Sequence, residues 1–239
     1  MTNLKVATYN IKHASIDGRY TLEIGKLIKD NEIDIIGIQE IDVNCKRSAN
    51  KNIISEIANS SGYKYYKFFK TIDYQGGDYG IGILSKYEII DSVLYPLSYG
   101  SEKRVIGHAK IKYNDQIINF FVTHFDLGTY EDVRKNEFKE TKELLNKYDN
   151  FILAGDFNVH DWTDPRNSFF EYQEYFSEYN LVNNKENTFY TFSGKEIIGG
   201  NILPLDNIVL SKNYKTINTK VVDTEYSDHD LLMTEVIIN

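Results

Sequence analysis

Phe151-Ile152-Leu153-Ala154-Gly155-Asp156-Phe157-Asn158-Val159-His160 is an apolar run that stops on a carboxylate and, two residues later, on a carboxamide. Four apolar residues before Gly155 predict a buried strand, and the glycine lets another group or ligand come close to the backbone. On extended chain, side chains two apart share a face, which would aim Asp156 and Asn158 at one ligand. Asp and Asn also favour plain turns, so this stretch alone reads equally as a strand running into a polar turn. The rest of the chain bears on that choice because it repeats the pattern.

Residues 4–11 predict a first strand that reaches Asn10 near its end and is followed by Lys12 and His13. Between 20 and 31, Leu22, Ile24, Leu27 and Ile28 recur at near-helical spacing, the mark of an amphipathic helix. Residues 33–40 form a mostly apolar strand, as in one covered on both faces, and end on a second acid, Glu40. A helix over 52–59 and an aromatic strand over 63–69 follow. Lys64, Lys67 and Lys70 are interleaved with its aromatics and read as solvated residues of a half-buried strand rather than as a single-stranded nucleic-acid platform. After a loop at 73–78, strands are predicted at 79–84, 88–97, 104–113 and 116–124, the last two joined by a tight Asn114-Asp115 turn. His124 closes its strand with Asp126 two residues beyond. Residues 133–148 predict a helix whose alternating charges, Arg134 and Glu137 among them, read as a solvated face. Asp164-Pro165 marks a loop before an aromatic helix at 168–176, and 183–203 reads as loop with one short strand near Phe189. A strand at 205–210 carries Asp206 near its start, and Asp228-His229 stands just before the terminal strand at 231–238.

The chain of 239 residues, 41% hydrophobic and 26% charged, is ordinary for a globular protein and reads as one domain over 1–239. Its net charge of −8 argues against a broad duplex nucleic-acid footprint, which rests on Lys and Arg. A lone Cys45 excludes an internal disulfide. The first ten residues lack the apolar region of a signal peptide, and no stretch approaches the roughly 18 apolar residues of a membrane span, so a cytoplasmic, soluble protein is expected.

Asn10, Glu40, His124, Asp126, Asp156, Asn158, Asp206, Asp228 and His229 thus gather at strand ends, where rigid strands present polar groups to ligands. Carboxylates crowded on one rim call for a cation, and oxygen donors with few histidines suit Mg²⁺ or Mn²⁺ better than zinc.

In order and spacing, Thr8-Tyr9-Asn10-Ile11, Ile38-Gln39-Glu40, Thr123-His124-Phe125-Asp126, Gly155-Asp156-Phe157-Asn158, Leu205-Asp206-Asn207-Ile208 and Ser227-Asp228-His229 resemble the endonuclease/exonuclease/phosphatase superfamily over nearly the whole chain. Arg47-Ser48, Gly77-Asp78-Tyr79-Gly80 and Glu102-Lys103-Arg104 look most like its small bacterial metal-dependent hydrolases, on the sphingomyelinase and nocturnin side. The resemblance implies an α/β fold, a four-layered α/β/β/α sandwich of two packed mixed sheets flanked by helices, and a metal-dependent phosphodiesterase or phosphatase. It implies Glu40 as the principal metal ligand, helped by Asn10, with Asp228 as second ligand or water-positioning group. Asp156 would orient or deprotonate water, Asn158 donate to the phosphoryl group, and His229, held by Asp206, stabilise the transition state as a charged donor. His124 would touch the phosphate; Arg104 and His13 are expected to contact phosphate or substrate. The expected substrate is a small-molecule or lipid-headgroup phosphoester, with nucleic acid of the exonuclease III kind second and a non-catalytic phosphoester-binding protein on the same fold as the further alternative, and the expected state is a monomer. Asn207 and Phe125 depart from the family pattern, where an aromatic and a Leu are common.

Overall fold

Alternation along the strands sorts apolar residues into three separate cores, and three cores require four layers. The computed structural model describes residues 2–127, 131–159, 168–192 and 203–238. One sheet contains β1 (Thr2–Asn10), β2 (Ile35–Val43), β3 (Tyr65–Tyr74), β4 (Gly77–Ser85), β11 (Lys215–Val222) and β12 (Leu231–Ile238), in the order β11-β12-β1-β2-β4-β3. The other contains β5 (Ile89–Pro96), β6 (Val105–Tyr113), β7 (Gln116–His124), β8 (Ile152–Asp156), β9 (Asn180–Leu181) and β10 (Asp206–Leu210), in the order β5-β6-β7-β8-β10-β9. Both are mixed: β1 runs parallel to β2 and β7 parallel to β8, while the other pairings are antiparallel.

Leu4, Val6 and Ile35 of the first sheet meet Phe120, Val122, Ile152 and Ala154 of the second in the central core. The outer face of the first sheet packs on α1 (Thr21–Asp30) and α2 (Ile53–Ser61) through Ile24, Ile28, Ile54 and Ile57. The outer face of the second packs on α3 (Glu131–Leu145) and α4 (Ser168–Phe176) through Phe138, Leu145, Tyr172 and Phe176. The sheets approach closely at Gly37, where an added Cβ would lie 2.9 Å from Val122 Cγ2. No helix among the described residues is long and apolar enough to cross a membrane.

Several local expectations change. β2 does not end at Glu40: a bulge between Ile38 and Ile41 carries the strand on to Val43. The loop at 73–78 is a two-residue hairpin turn, Gln75-Gly76, between β3 and β4. The edge strand β11 was not expected, because a mostly exposed strand lacks an apolar alternation to read. Between 183 and 192 the only strand pairing is the bridge at Phe192, to Leu203 and His229, rather than a strand near Phe189. The charged face of α3 is partly interior: Arg134 and Glu137 are buried. The expected loop around Asp164-Pro165, and residues 193–202 of the expected loop at 183–203, lie outside the described residues.

Candidate active site

The inner faces of the central strands end in polar residues, and the site is that polar end. Along β8, Ile152 and Ala154 face the central core, so Asp156, next on the same face, closes the row. His124 is its register partner on β7 and Asp206 its partner on β10, which sets the three side by side. On the opposing sheet Asn10 ends the row of Leu4, Val6 and Thr8, and Glu40 sits at φ 58 in the bulge of β2. Bulges beside binding sites commonly re-aim a side chain, and this one turns Glu40 to the rim. Gly155 does admit a close neighbour, but it is β7: an added Cβ would lie 2.7 Å from Thr123 Cγ2.

Asp156 is the hub. Asn10 Nδ2 donates to its Oδ2 at 3.0 Å and to Glu40 Oε1 at 3.0 Å, so one amide bridges two acids. His124 Nε2 and His229 Nε2 each lie 3.6 Å from Asp156 Oδ2. Asn158 reaches the same cavity by another route than strand alternation: β8 stops at Asp156, and Asn158, at φ 52, donates its backbone N–H to Asp156 Oδ1 at 2.9 Å. Its Nδ2 donates to the Phe125 carbonyl at 2.8 Å, and Arg134 Nη1 donates to the Asn158 carbonyl at 3.1 Å. Arg134 is itself paired with Glu171, tying α3 to α4 behind the site.

His229 Nδ1 lies 2.7 Å from Asp206 Oδ2, and both are buried. Burial opposes charge on this imidazole, yet Asp206, then Asp156, outweigh it and raise His229 to about 10. Burial, with help from Asp206, lifts Asp156 to about 7 against the pull of His229 and the Asn10 donor. His124 is driven well below its ordinary value by burial, then by Arg104 and His229. At neutral pH the site therefore holds one charged and one neutral imidazole over a carboxyl poised to exchange a proton.

Glu40, Tyr79, Glu102, Arg104, His124, Asp156, Asn158, Asp228 and His229 line a cavity of about 440 Å³, with Leu127, Phe192, Leu203 and Leu205 completing it. Asn10 and Asp206 stand immediately behind, hydrogen-bonded to lining residues. Asp228 Oδ2 pairs with Lys12 Nζ at 3.0 Å. Arg104 Nη1 faces Glu102 Oε1 at 2.8 Å, a contact whose angles do not make a hydrogen bond: Arg104 Nε and Glu102 Oε1 have no hydrogen-bond partner among the described residues. Asp126 is buried beside this group, its N–H donating to Glu137 Oε2 at 2.9 Å. His13, expected to reach substrate, is not part of the lining and lies within the fields of Asp42 and Arg47. Tyr79, Glu102, Leu127, Phe192, Leu203 and Leu205 were not among the expected site residues. Glu102 and Tyr79 stood in motifs already singled out, whereas Phe192 gave no signal beyond a Tyr-Thr-Phe alternation in a polar segment.

Asn207, the departure after Asp206, points the other way by strand alternation and donates to Tyr172 Oη at 2.9 Å and the Asn183 carbonyl at 2.8 Å. It anchors α4 from the face opposite Asp206.

Two groups of acids can be weighed as cation sites. Asp156, Asp206 and His229 present donor atoms within 4.8 Å of one another, but a nitrogen to oxygen distance of 2.7 Å in that cluster is a hydrogen bond holding a proton. Glu40, with Glu102, Asp156 and Asp228 lining the same cavity, is a half-exposed oxygen donor on a rim with four carboxylates against Arg104 and His229. That donor set fits a hard divalent ion.

The sequence profile described as the Endonuclease/Exonuclease/phosphatase family matches residues 7–229. The chain belongs to this family. Its fold is also that of solved members. An endonuclease/exonuclease/phosphatase from Beutenbergia cavernae superposes with TM-score 0.80 at 16% identity, over 100% of this chain and 72% of that one. TDP2 of D. rerio, complexed with single-strand DNA product, gives TM-score 0.78 at 13% identity over 100% of both chains. A mannosyl-6-phosphatase from Bacteroides thetaiotaomicron gives 0.72 at 18% over 98% of this chain and 100% of that one. Comparison with curated proteins by sequence gives no match. Family members are generally phosphoester hydrolases that commonly use divalent metals, and at these identities the structural likeness speaks for the fold.

Proposed function

We propose that this protein is a divalent-metal-dependent hydrolase of a phosphate ester, acting by in-line attack of water on phosphorus. The observation that carries the reading is the single row in which Asp206 holds His229, and His229 and His124 both face Asp156 at 3.6 Å.

In this reading Asp156, near 7, takes the proton of the attacking water in its ionised form, while Asn10 and the Asn158 N–H fix its oxygens. His229, kept charged by Asp206, donates from Nε2 to a phosphoryl oxygen as negative charge grows there; a fixed donor of this kind costs no reorganisation during the reaction. Neutral His124 and the Asn158 amide complete the phosphoryl contacts, and Arg104 adds a buried positive charge to the same wall. Glu40 would hold Mg²⁺ or Mn²⁺, with Asn10 orienting it and Asp228 at the rim; such an ion, when bound, polarises the phosphoryl group and steadies the leaving oxygen. The substrate is a small-molecule or lipid-headgroup phosphoester rather than duplex nucleic acid, which a net charge of −8 disfavours, and the protein works as a cytoplasmic monomer.

The test is hydrolysis of a chromogenic phosphodiester and its monoester with Mg²⁺, Mn²⁺ or EDTA. Metal-dependent turnover that falls about 10³-fold in Asp156→Ala is expected. Turnover indifferent to EDTA, or an Asp156→Ala variant within a few-fold of the parent, overturns the assignment.

A further inference from the structure

The cavity is a trench whose two ends differ in chemistry, and sheet order creates the difference. In one sheet β12, β1, β2 and β4 lie side by side, so its rim runs from His229 and Asp228 through Asn10 and Glu40 to Tyr79. In the other, β10, β8, β7 and β6 lie side by side, so its rim runs from Leu205 through Asp156 and His124 to Arg104. The sheets pack with β1 against β8 and β10 and with β4 against β6 and β7, which aligns the two rims.

One end is apolar. The Phe192 ring lies 5.1 Å from the His229 ring, edge to face, and Phe192 bridges to Leu203, with Leu205 on the same wall. The opposite end is polar: Tyr79 lies in the fields of Glu40, Glu102 and Arg104, and buried Arg104 Nε and Glu102 Oε1 have no hydrogen-bond partner among the described residues. Asp156 lies between the ends.

We propose, building on the hydrolase reading above, that the substrate is a phosphodiester with one apolar or aromatic arm: the phosphoryl group sits over Asp156, the apolar arm against Phe192, Leu203 and Leu205, and a polar arm at Tyr79, Glu102 and Arg104. Two considerations carry this. A monoester has one substituent and reaches only one end of the trench. Apolar surface in an otherwise charged cleft contributes to binding when a ligand displaces water from it, and at the far end Arg104 Nε, without a hydrogen-bond partner among the described residues, offers a donor to a hydroxyl-bearing group. Turnover forms one bond from water oxygen to phosphorus and breaks one P–O bond to an arm. The water proton passes to Asp156, the departing oxygen takes a proton from solvent, and Asp156 releases its own to solvent, giving a monoester and an alcohol.

The test is calorimetric binding, with Mg²⁺ present, of phenyl phosphate, dimethyl phosphate and methyl phenyl phosphate, which differ by one substituent at a time. Methyl phenyl phosphate should bind about tenfold tighter than either of the others, a ratio in keeping with the added apolar contact. Phe192→Ala and Leu203→Ala, each checked for an intact thermal transition, should shrink the phenyl-over-methyl preference at least fivefold. Equal binding of the two diesters overturns the apolar arm, and phenyl phosphate binding as tightly as its methyl ester overturns the choice of diester. Hydrolysis of p-nitrophenyl esters with the same second arms separates this inference from the one beneath it. Selective binding without turnover would remove the hydrolase reading and keep the ligand class; turnover without selectivity would remove the ligand class alone.

Discussion

His229 and His13 each lie in the field of a buried aspartate, and they end in opposite charge states. His229 has Asp206 at 2.7 Å from Nδ1 and is raised to about 10. His13 lies in the field of Asp42, yet burial, then Arg47, lower it to about 4, and its Nδ1 has no hydrogen-bond partner among the described residues. The acids explain the contrast. Asp42 is already committed: Arg47 binds it in a fork at 2.8 Å and 2.8 Å, and Ser48 Oγ donates to it at 2.8 Å. Among the described residues Asp206 is ion-paired with the imidazole alone, and its Oδ1 accepts from nothing. An acid charges a neighbouring histidine when its oxygens are not satisfied elsewhere.

The sharpest way to break this comparison is Asp206→Asn. It leaves an acceptor for Nδ1 but removes the charge, so His229 should fall from about 10 toward its ordinary 6.5. Turnover at neutral pH should drop about 10²-fold, the size of one lost charged donor, and the alkaline limb of the pH–rate profile should move to lower pH. Stability should follow with a fixed sign. A folded value above the unfolded one stabilises fully below about 6.5, and that contribution is lost as pH rises through about 10. The variant should therefore melt below the parent at pH 6, with the gap closing toward pH 10. Equal melting points at pH 6 would mean that the dyad carries no charge.

What could be read in the sequence divides along the same line. His124, Asp156 and Asp206 lie in or beside apolar strands on the central-core face, so their place at one rim follows from alternation plus register. Glu40 was legible as a polar residue beside an apolar run, but not the bulge that aims it, because a bulge depends on the partner strand. Phe192 reaches the cavity wall through its bridges to Leu203 and His229, which no local pattern encodes. Likewise α3 carries Glu137 on a stretch that reads as solvated, yet burial raises it to about 8 and the Asp126 N–H donates to it. Charge periodicity places a helix face and does not say which layer covers it. The polarity of β11 hid a strand for the opposite reason, since an edge needs no apolar face.

A smaller effect is expected where the committed acid is released. Arg47→Gln removes the fork from Asp42 together with the guanidinium stacked 4.3 Å over Tyr74. Breaking a buried pair should cost about 3 kcal/mol, read as a lowered denaturation midpoint. His13 should at the same time rise from about 4, because the positive neighbour is gone and Asp42 is left without its main partner; NMR titration of the imidazole measures this. A His13 that stays near 4 would show burial alone to be in control.

The smallest effect should come from His13 itself. Lys12, His13, Ala14 and Ser15 occupy the left-handed region at φ 43, 46, 55 and 54, each position carrying a penalty of about 1 kcal/mol for a residue with a Cβ. The turn earns its place through its neighbours: the Lys12 N–H donates to Asn10 Oδ1 at 3.0 Å, and Lys12 Nζ pairs with Asp228 at 3.0 Å, so the backbone here supports two residues of the site. His13 adds to that path a side chain that lies in the fields of Arg47 and Asp42 and is not part of the cavity lining. Glycine fits the same φ without strain. His13→Gly should thus keep kcat/KM within about threefold and hold or slightly raise the melting point, whereas Lys12→Ala in the same assay should weaken substrate binding more. A drop of more than tenfold in kcat/KM for His13→Gly, with the fold intact, would place this imidazole among the groups that touch substrate, and the two histidines would then differ in charge but not in role.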